Sequence, residues 1–184
     1  MTNRLLYMSS KKLIPTGTIV PIRLAILTGG YNDPSQGWTE GYATASDGGS
    51  IYLRVELSVI DGRYTGIKFR SVIGLKSPKG PYWRKRGRAL ITNILNSSAD
   101  LASNDFSEKA RKYRRLKSLG EINGIKLCAR VKTIKDQNGN LKNEIDEVII
   151  SESDSSTLKV AKLRQTDLTS KLTASVAQPI WMMD

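Results

Sequence analysis

The chain has 184 residues, 39% of them hydrophobic and 25% charged, which suffices for one domain with a real core and argues against wholesale disorder. Lys and Arg number 29 against 17 Asp and Glu, a formal charge of +12 whose field favours a polyanion, either nucleic acid or an anionic membrane surface. Histidine is absent and Cys128 stands alone, which removes His-based triads, most zinc sites and any internal disulfide, and fits a reducing, cytoplasmic compartment.

No apolar run approaches the roughly 18–20 residues of a membrane helix, so no membrane association is expected. The opening MTNRLLYMSSKKLI has too short an apolar core for a secretory signal. The charge is segregated along the chain. Residues 1–61 are net 0, residues 62–142 net +15 and residues 143–184 net −3. Ordinary solubilising charge would scatter both signs.

In chain order, TIVPIRLAIL (18–27) puts Val20, Ile22, Leu24 and Ile26 on one face at period two, with Pro21 implying an edge or an irregular start. The Gly/Ser/Asp-rich stretch 29–50 reads as a long loop. IYLRVELSVI (51–60) is the clearest strand: Ile51, Leu53, Val55, Leu57 and Val59 face one way, Tyr52, Arg54, Glu56 and Ser58 the other. A turn marked by Asp61-Gly62 and Thr65-Gly66 leads to a hairpin partner at 67–75. There Ile67, Phe69 and Ile73 share the buried side and Lys68 and Arg70 lie opposite.

KSPKGPYWRKRGR (76–88) reads as a semi-rigid basic loop carrying six cations, a Tyr-Trp pair and no acid. Residues 88–102 change to helical spacing through Leu90, Ile91, Ile94, Leu95 and Leu101. A second helix is predicted over roughly 106–117, capped by Asp105 or Ser107. GIKLCARVKTIK (124–135), a QNGN turn and LKNEIDEVIIS close the pattern as two further strands. The predicted fold is mainly β, an OB-fold-like five-stranded antiparallel barrel with one or two helices between strands three and four. A flat α+β sheet is the competing architecture. Residues 1–152 form the domain, and 153–184 a C-terminal tail, flexible or partner-docking.

The chemistry of this pattern is binding. The outward faces offer Tyr52, Arg54, Lys68 and Arg70 in the first hairpin and Lys126, Arg130 and Lys132 in the fourth strand. The basic loop adds Lys76, Lys79, Tyr82, Trp83, Arg84, Lys85, Arg86 and Arg88. Cations tracking phosphates beside rings that stack bases are the means by which single strands are held. Tyr52, Tyr82 and Trp83 are the stacking candidates, with Trp38 and Tyr42 behind them; core packing is the competing role of each ring. The run Lys109, Arg111, Lys112, Arg114, Arg115 and Lys117 is either a further phosphate contact or a solvated helix face.

Catalysis is not expected, and neither is a cofactor. There is no GxxxxGK[ST] loop, GxSxG elbow or HExxH, and Cys128 has no histidine to activate it. Glu144, Asp146 and Glu147 could hold Mg²⁺, but alternation sends Asp146 and Glu147 to opposite faces, so a solvated strand end fits better.

YLRVELSVIDGRYTGIKF (52–69) resembles the Y-L-x-V-E-F-x-V-x-x-G-x-Y-x-G-R-K pattern of a phage and mobile-element family of small proteins, of unknown or single-stranded-DNA-binding annotation. LIPTGTIVPIRLAI, RGRALITNIL, SEKAR, LGEINGIKLCARV and NEIDEVI agree with it in order, so the resemblance spans roughly residues 13–150. It implies an OB-like binder of single strands serving replication or recombination in a bacterial cell or phage-infected host. The terminal PIWMMD departs from the dense acidic tip of bacterial single-strand-binding proteins. Trp181 and Met182 are candidates to dock a protein partner or to hold a homo-oligomer. An RNA or duplex-DNA binder, and an assembly or adaptor protein with a basic surface, are the alternatives.

Overall fold

The structure, a computed structural model, describes residues 13–150. The expectations for residues 1–12, for the tail and for Trp181 and Met182 lie outside these residues. Seven strands and two α-helices follow in the order β1 (Thr18–Leu27), β2 (Tyr31–Asp33), β3 (Trp38–Ala45), β4 (Ile51–Val59), β5 (Lys68–Lys76), α1 (Tyr82–Ala99), α2 (Glu108–Tyr113), β6 (Lys126–Lys135) and β7 (Leu141–Ile149). All pairings are antiparallel, with β4 joined to β5 along one edge while β1 and β3 share the other. β1 also pairs with β6, and β6 with β7. The strands β5-β4-β1-β6-β7 curl until β5 and β7 lie against each other, yet no hydrogen-bonded ladder joins them. The result is a mainly β, barrel-like sheet that stays open, with α1 packed on β5, β6 and β7.

Alternation builds the core as the sequence indicates. Ile51, Leu53, Val55, Leu57 and Val59 of β4 are buried against Val20, Ile22, Leu24 and Ile26 of β1 and Leu127, Ala129 and Val131 of β6. Each fully buried aliphatic side chain contributes about 1.5–3 kcal/mol. Phe69 and Ile73 of β5 are buried with them, and Ile67 is half-buried. Pro21 is tolerated inside β1 because it stands at the end of the ladder to β4, which begins at Ile22, and its carbonyl still accepts from the Ile60 amide at 3.0 Å.

The reading of 29–50 as a loop is corrected. These residues form β2 and β3, joined by a 3₁₀ turn at Pro34–Gln36 that Asp33 caps by accepting from the Ser35 amide at 3.2 Å. Glycine hides this hairpin because it serves left-handed φ at Gly30, Gly37 and Gly41 and close approach at Gly29. A Cβ on Gly29 would stand 2.3 Å from the Ala43 carbonyl oxygen. The loop 76–88 is likewise shorter than expected, since α1 already begins at Tyr82 and ends before Leu101. The second helix spans six residues only, capped by Ser107, whose Oγ accepts from the Ala110 amide. The Ser107 amide and hydroxyl hold the Asp105 carboxyl below its usual range. No described helix is long and apolar enough to cross a membrane.

One buried polar group ties the described N-terminal end to the sheet. Asn143 of β7 accepts from the Ile14 amide at 2.9 Å and donates to the Ile14 carbonyl at 2.8 Å, while Ile14 itself is fully buried. Asn143→Leu strands the Ile14 amide and leaves the Ile14 carbonyl only the Thr133 hydroxyl, at 3.2 Å, and is expected to cost about 2 kcal/mol. Urea unfolding checks this: the midpoint should fall at unchanged slope, while Lys142→Ala, an exposed neighbour, leaves it in place.

Candidate nucleic-acid interface

The β4–β5 register sets Tyr52 opposite Gly74, Arg54 opposite Val72, Glu56 opposite Arg70 and Ser58 opposite Lys68, all on the outer face. β1 and β6 extend this face through Arg23 and Lys126, which are paired in register. The expected outward cations therefore share the outer side of the curled sheet. Their charge, however, is largely met there. Glu56 takes Lys68 at 3.1 Å and Arg70 at 3.7 Å, and the Arg54 guanidinium donates to the Thr28 carbonyl at 2.8 Å. Arg130 pairs with Glu147, and Lys132 with Asp146 at 3.2 Å.

The last two pairs correct the expectation that Asp146 and Glu147 diverge. The register steps from Arg130↔Glu147 to Val131↔Ile145, so Asp146 is the extra residue of a β-bulge and both acids turn outward. Each meets a cation. Among the described residues, no group of three or more potential metal ligands forms.

α1 is where cations stand without acids. Pro81 occupies its N-cap, with φ already helical at −81°, and it supplies no side-chain cap; the first turn holds no acid. The leading amides of the helix thus have neither intrahelical acceptors nor a capping oxygen, and the dipole there favours an anion. Arg84, Lys85, Arg86 and Arg88 are all exposed on its first two turns, and Lys76 and Lys79 are exposed just before it. None of these six makes an ion pair among the described residues.

The three stacking candidates divide. Tyr82 is 71% exposed, and the Arg86 guanidinium carbon lies 5.9 Å from its ring centre. Trp83 is half-buried and serves as a clasp: its indole covers Gly74, where a Cβ would stand 2.7 Å from the ring. Tyr52, also half-buried, flanks that indole with centroids 6.0 Å apart and planes tilted by 43°. Trp38 and Tyr42, the reserve candidates, are half-buried against the core. The fully presented ring of the five is Tyr82.

Two glycines that the sequence reading passed over set this geometry. Gly87 of α1 faces Gly74 of β5 so closely that a Cβ on Gly87 would lie 1.8 Å from the Gly74 carbonyl oxygen. A glycine inside a helical pattern was the available signal. Arg114, read as a phosphate contact or a solvated cation, is structural: its guanidinium donates to Asn96 at 2.8 Å and to the Ala102 carbonyl at 2.7 Å, and also to the Asp105 carbonyl. Asn96 is 1% exposed, so this interaction closes the α1–α2 corner. Cys128 is half-buried in β6.

No protein-family model matches the chain, and no curated protein is detectably similar to it.

Proposed function

We propose that the chain is a non-catalytic single-stranded-DNA-binding protein that grips its ligand chiefly with the first two turns of α1. The observation that carries this reading is the segregation of charge: four of the sheet cations, Lys68, Arg70, Arg130 and Lys132, are tied to acids, whereas Arg84, Lys85, Arg86 and Arg88 make no ion pair among the described residues and stand beside the exposed ring of Tyr82. Cations neutralise phosphates, and a bare ring stacks a base of any identity. The helix cations are not confined to one stripe, which argues against base readout in a duplex groove.

The connectivity supports an OB-like barrel as the scaffold. β1, β4, β5, β6 and β7 take the places of its five strands, α1 follows the third, and the β2–β3 hairpin is an insertion between the first and second. The resemblance over residues 13–150 adds the setting, replication or recombination of a phage or mobile element.

Tyr82→Ala is expected to weaken binding of a labelled oligothymidylate by about 5- to 150-fold, the worth of one stacked base at about 1–3 kcal/mol. Fluorescence anisotropy with oligothymidylate, oligouridylate and duplex of one length reads this directly. Equal affinity for duplex and single strand, or a Tyr82→Ala variant that binds like the wild type, refutes the reading. Preference for the RNA strand redirects it to an RNA-binding protein.

A further inference from the structure

A second basic surface lies at the other end of α1. Leu95 stands thirteen residues beyond Tyr82 on the same helix, about 20 Å along its axis. There α1, α2 and the segment leading to β6 enclose an open groove of about 440 Å³. Its apolar part is Leu95, Leu116 and Ile125, all packed against the core, with Tyr113 as a wall. Tyr113 is 43% exposed, and its hydroxyl lies 3.1 Å from Ser98 Oγ, which fixes the ring in place.

The rim is cationic. Lys109, Lys112, Arg115 and Lys117 line the groove, all are exposed, and none is ion-paired among the described residues. The one acid of the lining, Glu121, already accepts the Lys117 and Ser118 amides at 2.7 and 3.1 Å, closing the short helical turn Leu119–Ile122. The groove thus offers four cations and one carboxylate, a net positive rim, around an aliphatic floor.

We infer that this groove docks an acidic, apolar peptide segment of a partner protein. Charge complementarity selects the carboxylates, and the aliphatic floor selects Leu- or Phe-like side chains over nucleobases. Stacking needs an open ring face, and the groove's one ring, Tyr113, is less than half exposed beside three aliphatic side chains. A peptide that alternates acids with large apolar residues satisfies rim and floor together. The site is separate from the α1 N-terminal turns, and the inference does not depend on their binding DNA.

The test uses the full chain and a fluorescein-labelled nonapeptide, Asp-Asp-Phe-Asp-Asp-Leu-Asp-Asp-Phe, followed by anisotropy. Its counterpart with Ser in place of Phe and Leu should bind at least about tenfold more weakly, since burying even one such side chain is worth more than the 1.4 kcal/mol this represents. Lys112→Glu/Arg115→Glu should weaken the Phe-Leu peptide at least about tenfold while changing oligothymidylate affinity by less than about threefold. Leu116→Ser, with a thermal melt to establish folding, should weaken the peptide and leave the oligonucleotide unchanged. Equal binding of the two peptides, or no binding of either, overturns the inference. So does an equal loss of peptide and oligonucleotide in the charge-reversed variant, which makes the groove part of a nucleic-acid track. Should the wild type bind the peptide but no oligonucleotide, the DNA-binding reading falls and this one stands.

Discussion

Replacing Arg84, Lys85 and Arg88 together by Ala is expected to weaken single-stranded DNA about a hundredfold at 0.1 M salt. On a single strand each neutralised phosphate contributes about 0.7 to the slope of log K against log salt, which is about fivefold in affinity per contact at 0.1 M. Three such contacts give the hundredfold figure, and the salt slope should become shallower by about 2. All three side chains are exposed and unpaired among the described residues, so the thermal midpoint should barely move. Lys132→Ala is the matching control, because Asp146 already holds that cation at 3.2 Å; its effect should stay below about threefold. Equal losses in the triple variant and in Lys132→Ala would show that binding follows net charge and has no address on α1.

Gly87→Ala is expected to destabilise the domain although it lies in a helix interior. In an ordinary helix interior it would stabilise by about 1 kcal/mol. Here the added methyl would lie 1.8 Å from the Gly74 carbonyl oxygen and 2.8 Å from its carbon, and backbone cannot turn aside as a flexible side chain can. Either α1 lifts off β5 or β5 bends, and the clasp of Trp83 over Gly74 opens with it. Overpacking costs about 1–3 kcal/mol and sometimes more; a backbone clash this close belongs at the upper end, about 3 kcal/mol, which leaves a net loss of about 2 kcal/mol after the helix gain. For a domain of this size, that is a fall of about 4–8 °C in melting temperature. Oligonucleotide binding should weaken too, because Tyr82 and the cations move with the helix. A variant that melts at or above the wild-type temperature would mean that α1 does not cross β5 at these two glycines.

How much of this was legible beforehand depended on whether neighbours in space were also neighbours in sequence. β1, β4 and β6 announce themselves because each buries one face and period two records it, while β5 and β7 keep that alternation only in part. The β2–β3 hairpin does not, since its glycines were chosen for close approach and left-handed φ and so mimic a loop. The start of α1 was obscured in the same way by Pro81, Gly80 and Gly87, although proline suits a helix start. The cations of the interface were visible as composition, but their pairing was not. Glu56 meets Lys68 and Arg70 across a ladder, and Asp146 reaches outward only through a bulge, so both depend on register. Adjacency also misled for the rings. Tyr82 and Trp83 are one step apart in sequence but about 100° apart around a helix, which puts one in solvent and the other on the sheet.

The acids on the curved sheet bear on how many proteins one strand can carry. Glu56, Asp146 and Glu147 hold Lys68, Arg70, Arg130 and Lys132, so on the reading proposed above the sheet would offer a long polyanion fewer free cations than α1, and the ligand would be held at one end and not wound across the sheet. The occluded length would then fall at the short end of the roughly 4–16 nucleotides typical of OB-type binders. A short footprint would let neighbouring copies sit close together on a naked filament, with coverage governed by protein supply more than by gaps too small to fill.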